Sequence, residues 1–260
     1  MKPVIRASLA WHALMAGGAI ASPGHWPWWL AGVGANQALL TGAGLLPRCA
    51  LLGPNLRRLP QAAARRGEIA LTIDDGPDPQ VTPRVLDLLQ RFGARATFFC
   101  IGERLQQHAA LARTIVTQGH AIENHSQHHR HTFAMLGRGG FRREIAAAQQ
   151  TITDIAGVAP RFFRAPAGLR NPLLQPVLAE LGLGLTSWTR RGFDTVTADA
   201  GRVLHRLEQG LAAGDILLLH DGHAACGADG QPVILAVLPQ LLQRIQALDL
   251  RTVTLREAMA

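Results

Sequence analysis

Two adjacent carboxylates, Asp74 and Asp75, end an apolar run and directly precede Gly76-Pro77. Neighbouring carboxylates repel, and each resists ionising beside the other unless a cation or a base role divides them. One such division gives one Asp to a metal and leaves the other as a general base. Asp-Gly-Pro is also ordinary turn chemistry at a strand end, so the pair alone does not decide. His125 and His129 add to it. Imidazoles at i and i+4 share one face of a helical turn and can hold one metal ion, whereas His128 points elsewhere on that turn. Together with Asp75 they make two imidazoles and one carboxylate, the three-ligand set with an open position that marks a catalytic metal. Zinc is the first expectation, and cobalt, nickel or ferrous iron suit the same donors. Water activated at such a metal needs a base beside it, and Asp74 is adjacent to the ligand Asp75. Arg164 would orient Asp74. His220 can supply the acid for a leaving group. Asp194 could hold His220 and favour its charged form.

These residues need elements to carry them. Strand-like runs cover 69–73, 96–101, 120–123, 162–164, 184–188, 215–219 and 251–254. Helix-like runs cover 82–92, 103–118, 140–156, 172–182, 197–212 and 233–248. Val85, Leu88, Leu89 and Phe92 share one helical face, and Leu235, Leu238, Leu242 and Ile245 another. Strand-helix alternation predicts an α/β fold with a parallel sheet, and seven strands favour barrel-like closure. In such folds functional residues collect at the C-terminal strand ends. Asp74-Asp75 ends the first strand, Glu123-Asn124-His125 the third, Arg164-Ala165-Pro166 the fourth, Trp188 the fifth and His220-Asp221 the sixth. The titratable residues therefore fall on one rim.

The formal net charge of +8 is unevenly spread. Residues 1–66 hold seven of the 26 basic residues and no acid, leaving 19 basic against all 18 acidic residues in the remainder. The main domain is nearly neutral, which argues against a nucleic-acid-binding face. Cys49, Cys100 and Cys226 are few and far apart. They form no disulfide framework and no C-x-x-C metal knuckle, and are compatible with a reducing compartment.

Residues 7–21 and 26–46 are apolar, separated by a turn rich in Trp. The second run has about the length needed to span a bilayer, and the first is short unless Pro3 to Ile5 are added. Trp at the turn fits an interfacial belt, and Lys and Arg flank only the outer ends. The positive-inside bias then puts both ends in the cytoplasm of a bacterium and the turn across its inner membrane. A competing reading takes Lys2 and Arg6 as an n-region, 7–18 as an h-region and Ala19-Ile20-Ala21 as a cleavage site. The periplasm or the outside is then the alternative if the second run fails to span. Residues 54–67, with two Pro and four Arg, read as a basic juxtamembrane linker. The expected division is thus a hydrophobic helical hairpin over 1–53, a linker over 54–67 and a catalytic domain over 68–260.

Four blocks occur in order: Asp74-Asp75-Gly76, His125-Ser126-x-x-His129, Arg164-x-Pro166-x-Gly168 and Leu217-Leu218-Leu219-His220. Over about 67–255 the chain resembles the polysaccharide deacetylase family, the NodB-homology domain of carbohydrate esterase family 4. The resemblance implies a distorted (β/α)7 barrel and metal-dependent removal of N- or O-acetyl groups from sugars. It implies Asp74 as base, Asp75, His125 and His129 as metal ligands, Arg164 as orienter of the base and His220 as acid. It also implies that the Ala167 N–H helps to form the oxyanion hole.

Two positions depart from the family pattern. Ala167 stands where Tyr is usual, so a side-chain wall of the sugar site is lost. Arg191-Gly192-Phe193-Asp194-Thr195 keeps one Asp of an Asp-x-x-Asp-Trp block and loses the other Asp and the Trp. The expected activity is N-deacetylation of an acetamido sugar, with an N-acetylated carbohydrate or glycolipid as substrate. Alternatives are an amide or ester hydrolase of the same fold acting on a lipid-linked sugar, and a non-catalytic, membrane-tethered carbohydrate-binding module. The complete acid-base set argues against the module, because a binder has no use for it.

Overall fold

The computed structural model describes residues 3–260. Two helices, α1 (Pro3–Ala21) and α2 (Trp26–Leu45), form an N-terminal hairpin. After it come α3 (Gln61–Arg65), β1 (Glu68–Asp74), α4 (Thr82–Arg91), β2 (Thr97–Cys100), α5 (Gly102–Gln107), α6 (Ala109–Thr117) and β3 (Ala121–Asn124). Next are α7 (Arg138–Ala156), β4 (Phe162–Phe163), α8 (Leu174–Glu180), β5 (Gly184–Leu185), β6 (Arg190–Arg191), α9 (Ala200–Glu208) and β7 (Ile216–His220). The chain ends with α10 (Ile234–Ala247), β8 (Arg251–Val253) and α11 (Leu255–Ala258).

All strand pairs are parallel, in the order β5-β4-β3-β2-β1-β7-β6, with β8 on the N-terminal half of β1. The ladder ends at β5 and β6, so the sheet curls into a half-barrel that stays open between them. The expected parallel α/β barrel type is present in this distorted form. Its seven expected strands all form. The eighth, Arg190–Arg191, has no apolar pattern and is held by its pairing to Leu217 and Leu218.

Strand β1 is buried throughout, as a central parallel strand covered on both faces must be. Its side chains alternate. Ile69, Leu71 and Ile73 pack with Val85, Leu89, Leu238 and Leu241 from α4 and α10. Ala70 packs on the other side with Phe99, Ile216 and Leu218. Thr72 and Asp74 share that inner side with Ala70, so strand period alone carries Asp74 to the inside of the curl.

Helix ends follow local chemistry. Gly157 closes α7 with φ 73°. Asp199 caps α9 through Arg202 N, and Thr254 with Glu257 forms a capping box on α11. The helix expected over 103–118 is two helices, α5 and α6, broken at His108 with φ −127°.

Residues 54–67 do not dangle as a linker. Leu56 N donates to Leu185 O, Ser187 N donates to Leu56 O, and Leu59 N donates to Gly214 O. The segment thus covers the free edge of β5, an edge that would otherwise present unpaired backbone groups. Its own Leu59 and Ala63 are buried.

In the hairpin the polar residues face each other. Asn36 Nδ2 donates to Ser8 Oγ at 2.8 Å, Gln37 Nε2 lies 3.1 Å from His12 Nε2, and Trp11 Nε1 donates to Gly32 O at 2.8 Å. Large apolar side chains point outward, Ile20 at 82% and Trp28 at 74% exposure. Among the described residues, α1 is long and apolar enough to cross a membrane by length and composition. Helix α2 matches it in length and carries Asn36, Gln37 and four glycines.

Candidate active site

Asp74, the last residue of β1, is 2% exposed. Its Oδ1 accepts from Arg164 Nη1 at 2.6 Å. Arg164 follows β4 and is itself 1% exposed. The same Nη1 donates to Thr72 Oγ1 at 2.8 Å, Nη2 donates to Ser187 O at 3.0 Å, and the guanidinium lies 4.1 Å from the Phe99 ring centre. A planar fork fixed on several sides sets the Asp74 carboxylate rigidly. Burial lowers the Arg164 pKa from its very high ordinary value, and Asp74 opposes that shift.

Asp75 leaves the strand at φ 76°. Its Oδ1 lies 3.2 Å from His125 Nε2 and 3.2 Å from His129 Nε2. That oxygen is buried and has no hydrogen-bond partner. His125 Nδ1 lies 2.8 Å from Arg164 O, so the proton there donates to the carbonyl and Nε2 keeps its lone pair. Burial pushes the His129 imidazole down to about 4, so it is neutral and able to ligate. Burial pushes the Asp75 carboxyl up. The neighbouring imidazoles of His125, His223 and His220 outweigh this and hold it well below the usual carboxylate range. One ligand atom from each of Asp75, His125 and His129 lies within 4.8 Å of the others, so these residues could hold a metal ion.

The expected helical turn over 125–129 is not there. Ser126 at φ 67° and His129 at φ 48° make an irregular loop, and the His129 N–H donates to Ser126 Oγ at 3.0 Å. The two rings still meet, with centres 4.8 Å apart. His128 turns away to Glu144 at 2.9 Å, as expected.

On the opposite side, His220 ends β7. Its Nδ1 lies 2.9 Å from Asp194 Oδ1, and its backbone N–H donates to Asp194 Oδ2 at 2.7 Å. Burial pushes the His220 imidazolium down. The hydrogen bond and charge of the fully buried Asp194, with Asp74 and Asp75, outweigh burial and raise its pKa above 6.5.

A cleft of about 510 Å³ joins these groups, lined by Asp74, Asp75, His125, His129, Ala167 and His220. Thr195, Trp188 and Arg191 form further wall. Arg164 and Asp194 stand behind the lining. Every residue expected to do chemistry is therefore in or directly behind one cleft. Sequence reasoning missed Arg104 and His223, which line its mouth. The available signal was weak: His223 lies three residues beyond His220 on the same exit, and Arg104 lies in the first turn of the helix after the second strand.

The fold and site define a hydrolytic enzyme on an open parallel barrel. A family model described as polysaccharide deacetylase matches residues 61–185. A peptidoglycan-N-acetylglucosamine deacetylase of Bacillus cereus is 32% identical over 193 residues, 74% of this chain and 87% of its own. A family 4 acetyl xylan esterase from Clostridium thermocellum, solved with a cobalt ion, superposes with TM-score 0.66 at 30% identity, over 74% of this chain and 90% of that one. A family 4 pseudoenzyme from Bacillus anthracis superposes with TM-score 0.70 at 19% identity, over 79% and 69%, a likeness of fold alone. The chain belongs to the polysaccharide deacetylase family, carbohydrate esterase family 4. It is a hydrolase acting on carbon–nitrogen bonds other than peptide bonds.

Proposed function

We propose that this chain is a metal-dependent N-deacetylase of an acetamido sugar, tethered to a membrane by its hairpin. The observation that carries the reading is the convergence of Asp75 Oδ1, His125 Nε2 and His129 Nε2 beside Asp74 and His220. A divalent cation fits these residues. The Asp75 oxygen is buried without a partner, and two imidazoles with one carboxylate suit zinc first, cobalt or nickel next. When bound, such a cation polarises an acyl carbonyl and makes water more acidic.

The protein residues do the rest. Arg164 occupies Asp74 Oδ1, which leaves Oδ2 to take a proton from the attacking water. The water oxygen bonds to the acetyl carbon, and the Ala167 N–H steadies the oxyanion. Asp194 engages His220 Nδ1, so Nε2 is the atom that delivers a proton to the sugar nitrogen as the C–N bond breaks. Acetate and a free amine result. On this reading the chain divides into a hydrophobic N-terminal membrane segment over 1–53, a basic linker over 54–67 that packs on the domain, and a catalytic domain over 68–260.

The hairpin also favours a second reading, a lipid-linked sugar as substrate. Gly168, beside Ala167 in the cleft wall, has φ 75°, and a Cβ there would lie 2.6 Å from Pro47 Cβ. Arg170 N donates to Gly44 O at 3.1 Å. The end of α2 thus abuts the cleft rim, and a bilayer holding the hairpin would run close to the mouth. Acetate release from chitooligosaccharide, peptidoglycan and a lipid-linked N-acetyl sugar tests both readings. No release from any of them, with zinc present, would overturn the activity. Release from the soluble oligosaccharide alone would reject the lipid-linked reading.

A further inference from the structure

The two oxygens of Asp75 have different neighbours. Oδ1 faces His125 and His129 and makes no hydrogen bond. Oδ2 lies 3.1 Å from His223 Nδ1. His223 Nε2 in turn lies 3.1 Å from Arg104 Nη2. A guanidinium only donates, so His223 Nε2 accepts, the ring proton sits on Nδ1, and Nδ1–H donates to Asp75 Oδ2. Arg104 Nη1 also donates to the Asp75 carbonyl at 3.0 Å. One arginine therefore holds Asp75 twice, by its main chain directly and by its side chain through His223.

The backbone is shaped for this arrangement. His223 is at φ 65°, a conformation that costs energy for a residue other than glycine. At Gly222 a Cβ would lie 2.7 Å from the Asp75 carbonyl oxygen and would also collide with Arg104 Nη1. Only glycine lets the three groups close up.

We propose that His223 and Arg104 are positioning residues for the carboxylate ligand, reserving Asp75 Oδ1 for the cation by occupying Oδ2. This rests on the reading of Asp75 as a ligand. A carboxylate free to rotate offers either oxygen or both to a metal. One held by a donor on Oδ2 offers a single oriented oxygen, and loss of such a support typically costs 10–100-fold in metal affinity.

The test is zinc affinity of the full chain by competition with a chromogenic chelator, with cobalt absorption spectra and acetate release beside it. Asp75→Ala sets the reference for loss of a ligand. His223→Gly removes the donor and tolerates the positive φ. His223→Asn restores a donor in a residue that also tolerates that φ. We expect His223→Gly to weaken zinc binding about 10–100-fold, His223→Asn to recover most of that, and the cobalt band pattern to survive in both. Arg104→Met should weaken zinc binding too, with a double variant less than multiplicative because both act on one carboxylate. Zinc affinity within threefold of the parent in both His223→Gly and Arg104→Met, where Asp75→Ala loses it, overturns the inference alone. If Asp75→Ala also binds zinc normally, the ligand reading itself fails. A cobalt spectrum altered in His223→Gly as it is in Asp75→Ala would make His223 a ligand and overturn the positioning role.

Discussion

Asp74 and His220 stand side by side, partners in register at the tips of the adjacent parallel strands β1 and β7. Neighbouring strands lie about 4.8 Å apart, so one scissile group fits between the base and the acid of the proposed reaction, both fixed on rigid elements. Their partners come from elsewhere, Arg164 behind one and Asp194 behind the other. Asp74→Asn keeps the shape and the Arg164 contact but cannot take a proton. We expect kcat for acetate release to fall about 10²–10⁴-fold, with zinc affinity changed only a few-fold. Near-normal turnover in that variant would remove Asp74 from the base role.

Asp194 sets when His220 can act. In the proposed reaction the acid must be protonated, and Asp194, with Asp74 and Asp75, outweighs burial to raise the His220 pKa above 6.5. The alkaline limb of the kcat–pH profile should therefore lie above 6.5. In Asp194→Asn the depressing effect of burial remains while the main raising group is gone. The limb should move to lower pH, with kcat at neutral pH down about 10²–10⁴-fold. A profile that keeps its alkaline limb in that variant would assign the limb to another group.

The strands that carry the site were legible because buried parallel strands are apolar runs, and each run ends in polar residues at the rim. The pairing of Asp75 with His125 and His129 was legible from residue type. The way His129 arrives was not. A spacing of four suggested a helix, whereas Ser126 and His129 at positive φ bring the rings together from a loop. Strand β6 was illegible because two arginines carry no strand pattern, and its existence depends on the edge of β7. Leu56 and Leu59 looked like linker because their partners lie more than a hundred residues away. His223 and Arg104 belong to the same kind, since only folding brings position 104 to position 223.

Arg164 should matter to the fold as much as to the chemistry. It is fully buried and paired with a buried carboxylate. Removing one partner of such a pair leaves the other charge uncompensated, at a cost of roughly 3–5 kcal/mol. Arg164→Ala should lower the unfolding free energy by about that amount in urea titrations, with activity lost as well. Arg164→Lys should recover little, because an ammonium cannot reach Asp74, Thr72 and Ser187 together. A stability loss under about 1 kcal/mol in Arg164→Ala would mean that the site relaxes and rehydrates.

Asp221 gives a stability signature separate from catalysis. It is buried, accepts from Thr82 Oγ1 at 2.5 Å and from Gly222 N at 3.0 Å, and does not line the cleft. Burial, with the Asp75 charge, pushes its carboxyl from 3.8 up to about 7, against the hydrogen bond from Thr82. The folded protein thus keeps a proton that the unfolded chain has released. Where the native state binds more protons, stability falls as pH rises, here between about 4 and 7. Asp221→Asn keeps the acceptor oxygen and cannot ionise. Its stability relative to the parent should increase from pH 4 to pH 7 in urea titrations, and parallel curves would refute the assignment.

The hairpin makes the remaining prediction. Its polar side chains pair internally, Ser8 with Asn36 and His12 with Gln37, while Ile20 and Trp28 face outward. That is inside-out for a water-facing pair of helices and suits lipid, where association is by interhelical hydrogen bonds and close packing. Both outer ends carry the basic residues, Lys2 and Arg6 on one and Arg48, Arg57 and Arg58 on the other. If the hairpin spans a membrane, the charge bias predicts both ends in the cytoplasm and the Trp-rich turn on the far side. The full chain should sediment with membranes, resist extraction by high salt and dissolve in detergent. A fluorescent reporter fused after Ala260 should be active, and a phosphatase that needs the periplasm should be silent there. Asn36→Leu should loosen the helix pair by about 1 kcal/mol, the scale of one interhelical hydrogen bond in lipid. Release of the chain by salt alone would remove the tether. An active phosphatase would instead put the catalytic domain, and the substrate it meets, on the outer side.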